Sequence, residues 1–178
     1  MSRTEASLVQ DVIRGDTAAF AELYRLRCRL VIAYCQDSAR DSSEAADLAQ
    51  EVFMRAYRSL DRLRDPSRFG SWLIGIARRV CREARRRGDR EQRRLAGAVE
   101  QAADITGREL SADSDTLRVA IAALPESERI ALHAFYLEER RIEAVAELLR
   151  ISRASAYRLL ARARERLRSM LSSEEALS

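Results

Sequence analysis

Apolar positions recur every three or four residues along nearly the whole chain, which is the period of amphipathic helices and not of strands. Leu8, Val9, Val12 and Ile13 predict a short first helix, stopped at Gly15, with Asp16 placed to cap the next. Phe20, Leu23, Tyr24, Val31 and Tyr34 continue one face to about Cys35. Asp41 with Glu44 three residues on reads as a capping pair, opening a helix that carries Leu48, Val52, Ala56 and Leu60. Asp65-Pro66-Ser67 breaks the chain. A further helix over 69–87 buries Trp72, Leu73, Ile76, Ala77, Val80 and Ala84.

Residues 97–115 mix small, polar and acidic side chains with few large apolar ones and read as a linker. Beyond it, 116–123 is one helix, and Leu124-Pro125 starts another with Pro at its first position, where a missing N–H costs nothing. Residues 142–149 predict a short helix, and Ser152 caps a long final one with the stripe Ala156, Leu159, Leu160, Ala163, Leu167 and Met170. The fold class is all-α. Two small helical domains, 1–95 and 116–178, are joined by a flexible acidic linker over 96–115, and the second is a helix-turn-helix domain.

Composition narrows the function. Six Gly and two Pro in 178 residues are too few for a strand-and-turn architecture. No apolar run approaches the roughly 18 residues that cross a membrane, and no basic-then-apolar leader is present, so a cytoplasmic chain without membrane insertion is expected. Cys28, Cys35 and Cys81 form no CxxC pair. Cys28 and Cys35 share a helix face and read as small buried hydrophobes, and the one histidine, His133, lies beside Leu132 and Phe135. An enzyme's nucleophile, base or metal set is not legible, and no catalytic residue, metal or cofactor is expected.

Charge points to a partner class. All 32 basic residues are Arg. The net charge is +6 over 1–95, −4 over 96–115 and +2 over 116–178. Two basic blocks about an acidic connector suggest a two-module nucleic-acid protein, and guanidinium suits bidentate phosphate and guanine contacts.

Three segments carry this chemistry. Residues 142–164 fit two helices joined by a three-residue turn. With Ser152 as cap, Arg153, Ser155 and Tyr157 lie on the early turns that enter a major groove, and Arg158, Arg162 and Arg164 lie off the apolar stripe, within reach of phosphates or base edges. Over 67–87, Arg78, Arg79, Arg82, Arg85 and Arg86 crowd the exposed side beside aromatics, an arrangement suited to single-stranded nucleic acid, while Trp72 itself reads as core. Over 47–57, Asp47, Gln50, Glu51 and Met54 fall at offsets 3, 4 and 7, and share a face suited to a protein partner.

Together, in this order, these segments resemble bacterial RNA polymerase sigma factors of the extracytoplasmic-function group. The resemblance runs from Leu8 to Met170. It is most specific over 47–57, similar to the segment that grips the polymerase clamp helices, and over 69–79, similar to the F-x-x-W-L-x-x-I-A-R segment. Leu124-Pro125-Glu126 before the helix-turn-helix matches as well. What this implies is a sigma factor that binds core RNA polymerase, recognises promoter DNA and starts its melting, with the clamp helices on Asp47, Gln50, Glu51 and Met54.

Duplex promoter DNA and the non-template single strand are then partners. The resemblance gives minus-ten contacts to Arg62, Arg64, Arg68, Phe69, Arg78, Arg79, Arg82 and Arg86, with a flipped base held near 58–68. It gives minus-thirty-five contacts to Ser152, Arg153, Ser155, Tyr157, Arg158 and Arg162, and it admits an anti-sigma factor as a further partner. Two positions depart from the pattern: Arg79 stands where Asn is usual, and Arg150 where glycine is common in the turn. A stand-alone helix-turn-helix regulator is the alternative; it leaves the Asp47–Met54 face and the arginine helix unexplained.

Overall fold

The computed structural model describes residues 3–96, 112–138 and 141–175. A first group of helices comprises α1 (Glu5–Ile13), α2 (Thr17–Gln36), α3 (Ser42–Arg58) and α4 (Phe69–Ala96). A second comprises α5 (Ala112–Ala123), α6 (Glu126–Leu137), α7 (Ile142–Leu149) and α8 (Arg153–Glu175), and no strand occurs among the described residues. Most of the expected linker, 97–111, lies outside the described residues. Its last part does not behave as a linker, because α5 already begins at Ala112.

The helix ends follow from their capping side chains. Gly15, at φ +103°, turns the chain after α1 in a conformation that a Cβ would strain. Asp16 Oδ1 then accepts the N–H groups of Ala18 and Ala19 at 2.9 and 3.3 Å. Asp41 accepts the Glu44 N–H at 2.8 Å, and Glu44 reaches back to the Arg40 N–H at 2.7 Å, one residue further than a standard capping box.

Three expectations need correction. Leu60 is buried but lies beyond the end of α3, on a single 3-10 turn over Leu60–Arg62. Pro125 stands one residue before α6 as its N-cap, where its carbonyl accepts the N–H groups of Glu128 and Arg129. The arginine helix also runs past residue 87 to Ala96, so α4 has 28 residues and a length of about 42 Å.

Burial divides the same way as the periodicity. In the first group α2 packs on α1 and α3, and α3 on α4, enclosing Leu23, Val31, Val52, Phe53, Leu73 and Val80. In the second, α8 packs on α6 and α7 around Ile130, Val145, Ala156 and Leu160. The groups also touch, α6 on α2 and α7 on α4.

The turn of the helix-turn-helix is closed by a residue that ordinarily avoids its conformation. Arg150 has φ 56° and ψ 47°, the left-handed region, and is the one non-glycine with positive φ among the described residues. Its N–H bonds to the Glu147 carbonyl at 3.3 Å, and the Ile151 N–H to that of Ala146 at 3.0 Å, which is the Schellman closure glycine usually provides. A Cβ in this region costs roughly 1–2 kcal/mol. Arg150→Gly therefore raises stability by about 1 kcal/mol and the thermal midpoint by about 2–4 °C, read by circular dichroism. An unchanged or lower midpoint refutes the strain.

Candidate nucleic-acid and polymerase interfaces

Asp47, Gln50 and Met54 are exposed on the outer edge of α3, with Glu51 half-buried among them. They form a ridge between two grooves. On one side Asp47 and Glu51 border a polar trough shared with Arg87, Gly88 and Glu91 of α4. On the other, Gln50 and Met54 line an apolar groove of about 740 Å³ with Phe20, Tyr24, Phe53 and Tyr57. Phe20 meets Tyr57 edge-on, with ring centroids at 4.9 Å, and Tyr24 lies 4.6 Å from Phe53. Met54 and Tyr57 remain 40% and 47% exposed, so the groove presents apolar surface to water. The aromatic wall escapes a reading of 47–57 alone, because Phe20 and Tyr24 come from α2. Glu51 is also engaged: it pairs with Arg55 at 2.7 Å, and Arg55 with Glu83 of α4 at 2.8 Å.

A second concavity, of about 550 Å³, opens where α3 ends and α4 begins. Arg55, Arg58, Ser59, Arg62, Trp72, Ile76, Arg79 and Glu83 line it. Here the expected roles of two aromatics are exchanged. Phe69, expected at DNA, is fully buried at 0% exposure and cannot touch a strand. Trp72, read as core, is half-buried and lines the cavity, with its ring 6.1 Å from Phe69 beneath. Helical spacing marks both as core-facing; the larger ring instead faces the concavity between the end of α3 and α4.

Of the expected minus-ten arginines, Arg62 and Arg79 converge on this cavity. Arg64 and Arg68 are exposed on the preceding loop, where Asp65 accepts the Ser67 N–H and hydroxyl and pairs with Arg68 at 2.7 Å. Arg82 and Arg86 are exposed further along α4. Arg78 is already partnered, 2.8 Å from Glu126 of α6. Arg58, at the start of the 58–68 segment expected near the flipped base, lines the cavity too, and Arg55 and Glu83 are cavity residues that the sequence reading missed. Trp72, Arg79 and Glu83 do stand at offsets 7 and 11 on one helix, a signal that was there to find.

On α8, Ser152 caps the helix by accepting the Ser155 N–H at 3.1 Å, and the Arg158 guanidinium donates to the Ser155 hydroxyl at 3.2 Å. Arg153, Tyr157, Arg158 and Arg162 are exposed, Tyr157 at 62%. Arg153 lies 3.4 Å from Glu143 of α7. Arg164, expected to reach phosphates, instead lies over the rings of Phe135 and Tyr136 at 5.1 and 5.8 Å, so it packs α8 on α6.

The exchange of aromatic roles is testable. Phe69→Ala empties a buried site and lowers stability by about 3–5 kcal/mol in denaturant unfolding. Trp72→Ala keeps the helical fold and lowers affinity for single-stranded DNA by about 1–3 kcal/mol, the worth of one base–ring stack. Equal losses of DNA affinity at equal stability for both variants refute the assignment.

Comparison with known proteins identifies two matching regions. The family description Sigma-70 region 2 matches residues 23–91, and Sigma-70, region 4 matches residues 114–167. The chain is 31% identical over 159 residues to the probable RNA polymerase sigma factor RfaY of Xanthomonas campestris, covering 79% of this chain and 39% of that longer protein. It is 29% identical to the ECF RNA polymerase sigma factor SigM of Bacillus subtilis, covering 84% of this chain and 93% of the relative. Among solved structures, CnrH, determined with the cytosolic domain of CnrY, aligns with TM-score 0.62 at 19% identity over 95% of this chain and 97% of that one. The sigma factor RpoE of Bartonella quintana, determined with the anti-sigma factor NepR, aligns with TM-score 0.57 at 22% identity over 86% and 96%. These two share the fold. The regions match in the order in which the α3 ridge, the α4 cavity and the helix-turn-helix occur, and the chain belongs to the sigma-70 family, in the extracytoplasmic-function group of RNA polymerase sigma factors.

Proposed function

We propose that this chain docks on core RNA polymerase by the α3 ridge, takes the minus-ten element on α4 and reads the minus-thirty-five element with α8. The observation that carries this is the cavity between α3 and α4, where a tryptophan and converging arginines share one concave wall. A nucleobase turned out of a melted strand needs a ring to stack on and cations beside it for the phosphates. Trp72 supplies the ring, Arg58, Arg62 and Arg79 the cations, and Arg82 and Arg86 continue the cationic track along α4. Arg79, in place of the usual Asn, adds a charge at the cavity rim.

The α3 ridge is the surface for the clamp helices. Gln50 and Met54 supply an amide and an apolar side chain over the aromatic groove, and Asp47 adds an exposed carboxylate. On α8, the exposed Arg153, Tyr157, Arg158 and Arg162 meet the major groove, and the Ser155 hydroxyl orients Arg158. An anti-sigma factor, of the class seated on RpoE of Bartonella quintana, is the remaining partner of this reading. The domain limits proposed for it are 1–96 and 112–178.

Run-off transcription with purified core polymerase tests the function. The wild-type chain directs initiation, and permanganate reactivity marks a melted minus-ten region. Met54→Glu places a charge on an apolar anchor and weakens binding to core polymerase by about tenfold or more, with unchanged helical circular dichroism. Specific duplex binding without any core-dependent run-off favours the stand-alone regulator.

A further inference from the structure

None of the three cysteines lines the α3 grooves or the α4 cavity, yet two of them meet in the core of the first group. Cys35 lies in the last turn of α2 and Cys81 near the middle of α4, 46 positions apart in the chain. Their Sγ atoms stand 3.8 Å apart, with Cys35 at 0% exposure and Cys81 at 1%. A disulfide needs its sulfurs at about 2.05 Å, so closing this pair takes an approach of about 1.8 Å. The two ends are not equally able to give it. Cys81 is held by helix on both sides. Cys35 is one residue from the end of α2, where its carbonyl accepts the N–H groups of Ser38 and Ala39, both at 3.0 Å, as the chain leaves the helix. Helix ends open locally at little cost, and helix interiors do not.

The surroundings also separate the two thiols. The Cys35 hydrogen bond holds the Cys81 thiol below its ordinary range; the Ser38 hydroxyl and the Arg85 guanidinium add to this, against burial and the Asp37 carboxylate. The same bond, with burial and Asp37, pushes the Cys35 thiol up. One sulfur is therefore disposed to be a thiolate while its neighbour keeps its proton. That is the division between an attacking and a resolving thiol. Cys28, half-buried on α2, donates to the Arg25 carbonyl at 3.7 Å and has no sulfur partner.

We propose that Cys35 and Cys81 form a redox modification site that takes a hydroperoxide as oxidant and closes a disulfide tying α2 to α4. The Cys81 thiolate attacks one peroxide oxygen. An S–O bond forms as the O–O bond breaks, and the hydroxide released takes up a proton and leaves as water. The Cys35 sulfur then attacks the sulfenic sulfur of Cys81. The S–S bond forms as the S–O bond breaks, and the hydroxyl leaves with the Cys35 proton as a second water. Two thiols have lost two hydrogens, and one peroxide has become two waters. With Cys35 in contact, the sulfenic acid is captured before a second peroxide can carry it to the irreversible sulfinic acid. The loop so closed, residues 35–81, contains all of α3 and the start of α4, and so both the ridge and the cavity wall. The site stands independently of the sigma-factor reading.

The test oxidises the full chain with hydrogen peroxide, alkylates remaining thiols in denaturant and maps tryptic peptides by mass. Cleavage after Arg29, Arg40, Arg79 and Arg82 releases residues 30–40 joined to 80–82, two hydrogens lighter than the separate peptides, and dithiothreitol parts them. Cys28 alone is alkylated. Cys35→Ser leaves a sulfenic acid on Cys81 that dimedone traps, whereas the wild type traps little and Cys81→Ser none. Cys28→Ser behaves as the wild type. Because a cross-link restricts the unfolded chain, the oxidised wild type melts about 5–15 °C above the reduced form. Where a serine variant loses helical circular dichroism, the alanine variant replaces it, and the wild-type map and melting shift decide by themselves. Three alkylated thiols after oxidation, a link through Cys28 or between chains, a link formed only in denaturant, or an unchanged midpoint overturns the proposal.

Discussion

The amphipathic division of α4 is the constraint on which the rest depends. One side of this helix buries Phe69, Leu73, Ile76, Ala77 and Val80, and α1, α2 and α3 gather on it. The other side is crowded with arginine, from Arg78 to Arg86. The two faces cannot trade places, because burying one unpaired guanidinium costs more than any single apolar contact returns. Orienting the core therefore orients the cationic face, and the cavity at Trp72 opens along the boundary between the two, against the end of α3. Fold and candidate site are two consequences of one pattern.

The joint between the helical groups follows another rule. Within each group the buried surface is largely apolar, apart from Glu128 of α6 beside Arg166 of α8, and cohesion comes from hydrophobic burial and close packing. Between them the buried side chains include Asp37, Arg129 and Tyr34, whose polar atoms need specific partners. A joint of this kind is demanding in geometry and modest in net energy.

Much of this was legible in the chain order of residues. Helix periodicity placed all eight helices among the described residues, Asp16, Asp41 and Ser152 marked three of their starts, and Arg150, where glycine is common in the resembled family, stands at the turn that the structure shows with positive φ. The errors have a common cause. Spacing along the helix puts Trp72 in the core and the resemblance puts Phe69 at DNA, whereas their exposure depends on how α3 and its following turn pack beside the start of α4. The aromatic groove beside Met54 joins residues of α2 and α3, and the cavity joins Arg58 to Arg79, pairs that no local window connects. Spacing sets Cys35 on one face with Cys28, its neighbour in sequence, yet its sulfur lies 3.8 Å from that of Cys81 on α4.

The sequence by itself determined the helices, their capped ends, the sign of each surface and the order of the functional segments, because these depend on spacing within a few turns. The tertiary structure alone decided which arginines are free. Arg79 opens on the cavity, Arg164 lies flat on Phe135 and Arg78 is held by Glu126, although all three look alike as cations off an apolar stripe. A charge acts through what stands within a few ångströms of it, and those neighbours come from segments distant in the chain.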